Sequence, residues 1–301
     1  MHATASPEDH DAALRLILEL QHGAATACAY LGRDEAGIRE DLENLDQDWR
    51  ETLRVSRGAD GRVDGAALIE WDTKLDRSWV HGPWTREGRW EQQAPGLLGS
   101  VIAQAPVDCH EMYAAVENVQ MAWLAERCGW SAGEANFEYT ASLDDDPSAL
   151  RTAHDAVRAA RPEDLPRLAE LHEAEFPGTY ASASGLLEQG GSYSTFVHPE
   201  GGCVRGYLSG QMQGTDTLYV DFLAVAPEAR RRGVARGLLD AAAQRMGART
   251  ITLTVDEHRP DAQRVYEALD FSRTAATRPY RRGGAADRSA TPPAGGDAAQ
   301  M

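Results

Sequence analysis

From about residue 155 onward, two apolar rhythms alternate along the chain. Leu218, Val220 and Phe222 share one parity and Tyr219, Asp221 and Leu223 the other, which predicts a strand over 217–225. Ile251, Leu253 and Val255 alternate with threonines and predict a second strand. Between them, Leu238, Leu239, Ala242 and Met246 repeat at helical spacing inside 232–245, with Gly247 as a stop. Further strands are expected at 155–160, 192–198, 203–212 and from Phe271. Pro199-Glu200-Gly201-Gly202 and Gly214-Thr215 separate the middle ones. Helices are expected from Pro162, with Glu163 and Asp164 in the first turn, over 182–189 and over 261–269. The order βααβββαβαβ is that of an α/β (α+β) sandwich, antiparallel in front with one parallel pair.

The first half carries strand-like segments at 51–57, 63–71 and 78–82 and a helical one at 97–102. The polar stretch Asp144-Asp145-Asp146-Pro147-Ser148 reads as a linker, and 281–301, small, polar and rich in Gly, Ala and Pro, as a disordered tail. The expected division is therefore 1–143, 144–280 and 281–301. A chain of 301 residues fits two domains, each long enough to bury a core.

No apolar run approaches the roughly 18 residues that span a bilayer. The N-terminus has acids where a signal peptide needs basic residues, so a cytoplasmic protein without membrane attachment is expected. Cys28, Cys109, Cys128 and Cys203 are scattered, with no Cys-x-x-Cys pair, and predict free thiols and no metal site. The formal net charge of −17 disfavours nucleic acid as a partner. It suits a cationic substrate, and simple solubility accounts for it equally well. Oligomeric state is open.

The most informative segment runs from Leu223 to Leu239. A strand ends, a turn rich in Arg and Gly follows, and an amphipathic helix begins. Free N–H groups at a helix start attract anions, and Gly233 has no Cβ to keep a phosphate off the backbone. Arg230-x-x-Gly233-x-Ala235, after Leu223-x-Val225, resembles the signature of the Gcn5-related N-acetyltransferases (GNAT). The resemblance implies acetyl-CoA as co-substrate. Backbone N–H groups of Arg231, Arg232, Gly233, Val234, Ala235 and Arg236 would hold the pyrophosphate, and Leu223, Ala224 and Val225 would line the pantetheine arm.

A second stretch, Arg259 to Phe271, resembles the family's Asn-x-x-Ala-x-x-Leu-Tyr-x-x-x-Gly-Phe segment. It departs from it at Arg259, where Asn is usual, and at Asp270, where Gly is usual. Arg259 then becomes a candidate charged contact to the cofactor. Tyr266 is the candidate general acid, because a phenol matches a leaving thiolate better than a carboxylic acid does. Candidate general bases are Asp221, Glu173, Tyr219 and Glu175, or a water chain. The last two acids of the helix precede the turn Phe176-Pro177-Gly178-Thr179-Tyr180. His172, His198 and His258 face no identifiable nucleophile and receive no role.

Asn118 to Trp130 repeats the second stretch. Arg259, Tyr266 and Phe271 each lie 141 residues after Asn118, Ala125 and Trp130, which signals duplication. The first copy has Gln92 where Gly233 lies, Ala125 where Tyr266 lies, and Pro95 near its helix start. It reads as a degenerate, non-catalytic copy. Its Trp71, Trp79, Trp84 and Trp90 either line a pocket or pack internally. The expected activity is direct transfer of acetyl from acetyl-CoA to a primary amine of a small molecule or peptide. The alternatives are a CoA-binding sensor without chemistry and a transferase of another acyl group.

Overall fold

The computed structural model describes residues 2–32, 34–143, 156–179, 181–188 and 190–283. The predicted linker and almost all of the predicted tail lie outside them. The chain packs as two compact units: residues up to Asn136 with the chain from Ala276, and Phe137–Ala275. These units do not follow a single cut at 143/144. Each half gives its last strand to the other unit's residue set.

The first unit starts with strand β1 (His2–Thr4) and helix α1 (Pro7–Gln21). Asp9 at the third helical position accepts a hydrogen bond from the Ser6 N–H, which fixes the helix start. Two further helices follow, α2 (Glu35–Glu43) and α3 (Trp49–Thr52). The Asp48 side chain accepts from Arg50 N–H, so 49–52 turn as a helix and the strand expected at 51–57 begins only at Arg54. Strands β2 (Arg54–Arg57), β3 (Val63–Asp72) and β4 (Arg77–Thr85) are antiparallel neighbours. Helix α4 (Trp90–Ile102) crosses over to β5 (Cys109–Ala115), which runs parallel to β4. Helix α5 (Val119–Arg127) and β6 (Ser131–Ala132) follow, and the chain segment 277–282 pairs antiparallel along β5.

Strand β3 is buried almost continuously because both faces are covered. Leu68 and Trp84 pack with Leu16, Ile17, Ile38 and Leu42 on one side. Ile69, Val80 and Trp90 pack with Leu97, Leu98 and Met112 on the other. Trp84 and Trp90 thus belong to opposite faces and share no pocket, while Trp71 packs on the Trp90 side.

The second unit takes β7 (Asn136–Ser142) from Phe137 onward, and β8 (Arg158–Ala159). A 3-10 turn at Pro162–Asp164 leads into α6 (Leu165–Glu175). The helix expected over 182–189 is only one 3-10 turn, Gly185–Leu187. Strands β9 (Ser194–Glu200), β10 (Cys203–Gln213) and β11 (Thr217–Val225) form an antiparallel meander. Helix α7 (Val234–Met246) then crosses to β12 (Thr250–Asp256), parallel to β11. Helix α8 (Pro260–Glu267) and β13 (Ser272–Arg282) end the described chain. The order across this sheet is β8-β9-β10-β11-β12-β7. Residues 281 and 282, assigned to the tail from sequence, continue β13. Leu218, Val220, Phe222, Leu238, Leu239, Ala242, Ile251 and Leu253 form the core, as their spacing predicts.

Gly206 marks how closely α7 sits on β10. A Cβ there would lie 2.9 Å from the Ala224 carbonyl oxygen and 3.0 Å from Val234 Cγ1. Among the described residues, no helix is long and apolar enough to cross a membrane.

Candidate active site

Parallel strands β11 and β12 pair over four residues only, Thr217 to Val220 against Thr250 to Leu253. Beyond that point β11 continues for five residues to Val225 and β12 for three to Asp256 without pairing each other. The parting coincides with a bulge: Ser209 faces Phe222 and Gly210 faces Val220, so Asp221 is the extra residue on β11. The following residues of β11 stay in the ladder with β10 but have none with β12.

The turn after β11 has the shape its glycine suggests. Gly233 takes φ 81° at the N-cap of α7, and Arg231 takes φ 58°. The first amide to find an acceptor within the helix is that of Gly237, on the Gly233 carbonyl at 2.9 Å. The N–H groups of Val234, Ala235 and Arg236 come before it and project from the positive end of the helix. The surrounding arginines are held by acids. Arg232 pairs with Glu200 at 2.5 Å and Arg236 with Asp270 at 3.2 Å. Arg230 donates through Nε to the Val225 carbonyl at 3.2 Å and through Nη2 to Glu175 Oε2 at 3.3 Å.

Arg259, at the N-cap of α8, pairs with Glu175 Oε1 and stacks over Phe176 at 5.9 Å. Glu175 therefore joins Arg230 of the turn to Arg259 of the opposite strand's exit. Tyr266 lies close by, half-buried against Tyr139 (6.2 Å between centroids) and Phe271 (5.6 Å). Loss of solvent pushes its hydroxyl up to about 12; the Arg259 charge pulls it down and the Glu175 charge adds to the rise.

The remaining sequence candidates are distributed differently. Glu173 is exposed on α6 and lines a hollow of about 710 Å³ with His172, Phe176 and Thr179. Two residues along a helix are about 200° apart, so Glu173 and Glu175 face opposite ways. Tyr219 donates or accepts at Thr254 Oγ1, 3.0 Å away; burial raises its hydroxyl, Thr254 opposes this, and Asp221 and Glu138 add to it. Asp221 sits half-buried at the bulge. His172 has both ring nitrogens engaged, by the Tyr207 hydroxyl at 2.5 Å and the Ala181 carbonyl at 2.9 Å, in keeping with a structural role. Tyr180, from the same turn, lies outside the described residues. The role of Glu175 as a bridge was not visible in sequence, because its two partners lie 55 and 84 residues away.

The first unit repeats this architecture and fills it. Arg77 to Val80 pairs with Cys109 to Met112 and the strands then part, as β11 and β12 do. Segment 277–282 occupies one edge of β5. Cys28, which bridges Ala114, therefore sits on the other edge, inside the parting from β4. The Ala29 N–H donates to the Tyr113 carbonyl at 2.9 Å. Asn118, the counterpart of Arg259, donates to the Ala27 carbonyl at 3.1 Å. Gln21, fully buried, accepts from Cys28 N–H and Trp84 Nε1 and donates to the Cys28 carbonyl at 2.7 Å. At the start of α4, Gln92 is exposed and Gln93 donates to the buried Asp64 carboxylate at 2.8 Å. An acid there opposes a phosphate, and Pro95 lies inside the helix.

A parallel strand pair that parts after four residues and is crossed by a helix, present twice, defines the class: tandem acyl-CoA N-acyltransferase folds. Residues 161–271 match the model of the acetyltransferase (GNAT) family. Similar solved structures include a GCN5-related N-acetyltransferase from Sphaerobacter thermophilus, at 19% identity and TM-score 0.64, covering 97% of this chain and 98% of that one. Another is a tandem GNAT protein from the clavulanic acid biosynthesis pathway, at 16% identity and TM-score 0.52, covering 95% and 99%. No curated protein matches the chain.

Proposed function

We propose that the second half of the chain transfers an acetyl group from acetyl-CoA to a primary amine of a small molecule or peptide, by direct attack of the amine on the thioester. The observation that carries this reading is the four-residue limit of β11–β12 pairing beside the Gly233 turn. On this reading the parting admits the pantetheine arm, with the α7 amides at one end and Tyr266 near the thioester. The amides of 231–236 would bind the diphosphate, and the main chain of 223–225 the pantetheine arm. Main-chain N–H groups near Leu223 would stabilise negative charge on the thioester oxygen. Tyr266 keeps its proton across neutral pH and would donate a hydrogen bond to sulfur as the thiolate leaves. The acidic chain as a whole suits an ammonium-bearing acceptor in the cytoplasm, without nucleic acid or membrane partners.

The test is release of free CoA thiol from acetyl-CoA in the presence of an amine panel. Tyr266→Phe should lower turnover roughly 100-fold with CoA affinity nearly unchanged. Full turnover in that variant across pH would remove Tyr266 from the mechanism. Arg259, in place of Asn, favours a second reading in which the same cleft binds CoA as a sensor. Calorimetric CoA uptake without thiol release for any amine or acyl donor identifies that case.

A further inference from the structure

The Glu175 carboxylate divides its two oxygens between two cations with different commitments. Oε1 is taken by Arg259, which is also stacked on Phe176. Oε2 is 3.3 Å from Arg230, whose side chain is 55% exposed and sits in the turn that presents the helix amides. The carboxylate itself is only 25% exposed and lies near enough to Tyr266 to bear on its proton affinity. A diphosphate at the α7 start carries more charge than one carboxylate oxygen and draws on the same guanidinium. An exposed single ion pair is weak and yields to it.

We propose that Glu175 is the anchor for the acceptor's ammonium group, occupied by Arg230 until CoA takes that arginine, while Arg259 holds the carboxylate in place throughout. The proposal rests on the cleft binding CoA. It makes Arg259 a positioning residue and explains why a cation replaces the family's Asn there: it orients an acid that a neutral amide would leave loose. It also couples the two substrates. An ammonium at Oε2 offsets the charge that raises Tyr266, so the phenol becomes a better donor when the acceptor is seated.

Calorimetry with CoA on the wild-type protein comes first, and no uptake there removes the function proposed above rather than this assignment. Given uptake, Glu175→Gln should bind CoA roughly twofold to fivefold more tightly, because Arg230 no longer has a competitor. In the wild type, carbodiimide coupling of glycinamide, mapped by peptide mass spectrometry, should mark Glu175 more strongly with CoA present than without. Exposed Glu173 serves as the unchanged reference. Coupling at Glu175 that falls when CoA is added, or CoA affinity in Glu175→Gln equal to or weaker than wild type, overturns the proposal.

Discussion

Two residues show how the duplicated halves solved the same local problem with different side chains. The position before the closing aromatic takes a left-handed backbone in both, at φ 71° for Gly129 and 67° for Asp270. Asp tolerates that conformation better than most residues, so the departure from the family's Gly leaves the fold intact. A larger divergence lies at His81, which is buried and hydrogen-bonded to Glu70 at 2.9 Å. Burial alone would lower its proton affinity, but the Cys28 sulfur and the Glu70 carboxylate outweigh it and raise the imidazole to about 9. A folded value above the unfolded 6.5 stabilises the native state fully below pH 6.5, and this contribution is lost as pH rises through 9. It is on the order of 3 kcal/mol. Thermal unfolding should therefore show the wild type losing more stability than His81→Gln between pH 6 and 9.5. Parallel losses in the two proteins would refute the charge on His81.

At the scale of elements, the cleft depends on how α7 is seated. Its first turn must lie low on β10 for its amides to face the parting of β11 and β12. Gly206 permits this by bringing β10 backbone within contact of Val234 and the Ala224 carbonyl. Gly206→Ala should cost roughly 1–3 kcal/mol by overpacking and weaken CoA binding by lifting the helix start. Urea unfolding and CoA calorimetry check the two effects, and unaltered affinity in a destabilised variant would show that the seat does not set the site. Elements with a strong period were legible in the sequence: β10, β11, α7 and β12 lie within two residues of expectation. Where the period was short or the residues small, local capping or tertiary packing decided. Asp48 turned 49–52 into a helix, and Ser-rich 182–184 supported one 3-10 turn instead of a helix. The Gly233 turn could be read because its chemistry is local. Glu175 could not be singled out from Glu173 without knowing which face of α6 meets Arg230 and Arg259.

At the scale of the whole molecule, one chain repeats the same architecture twice, and among the described residues the first copy fills the parting of its parallel strands with its own chain. In the first copy the space between β4 and β5 is held by residues 27–29, fixed by Gln21, Asn118 and the Tyr113 carbonyl. Displacing that segment would take Cys28 from the buried Gln21 amide, the Ala27 carbonyl from the buried Asn118 amide and the Ala29 N–H from the Tyr113 carbonyl. Each such group costs about 1–3 kcal/mol. A CoA arm would restore some of these bonds, yet at the helix start it would meet the Asp64 carboxylate, and the N-cap that Gly233 fills in the second copy is Arg89, with the left-handed Gly88 one residue before it. The fixed offset put Gln92 opposite Gly233, but Gln92 lies inside α4 and the N-cap is Arg89, and the filling segment gave no signal because residues 27–29 carry no periodic pattern. Calorimetry should give one CoA per chain. Gly233→Val, which forces a β-branched residue into φ 81°, should abolish uptake rather than halve it. Two equivalents per chain, or a residual single site in Gly233→Val, would mean that the first cleft opens and that its internal strand is a lid rather than a plug.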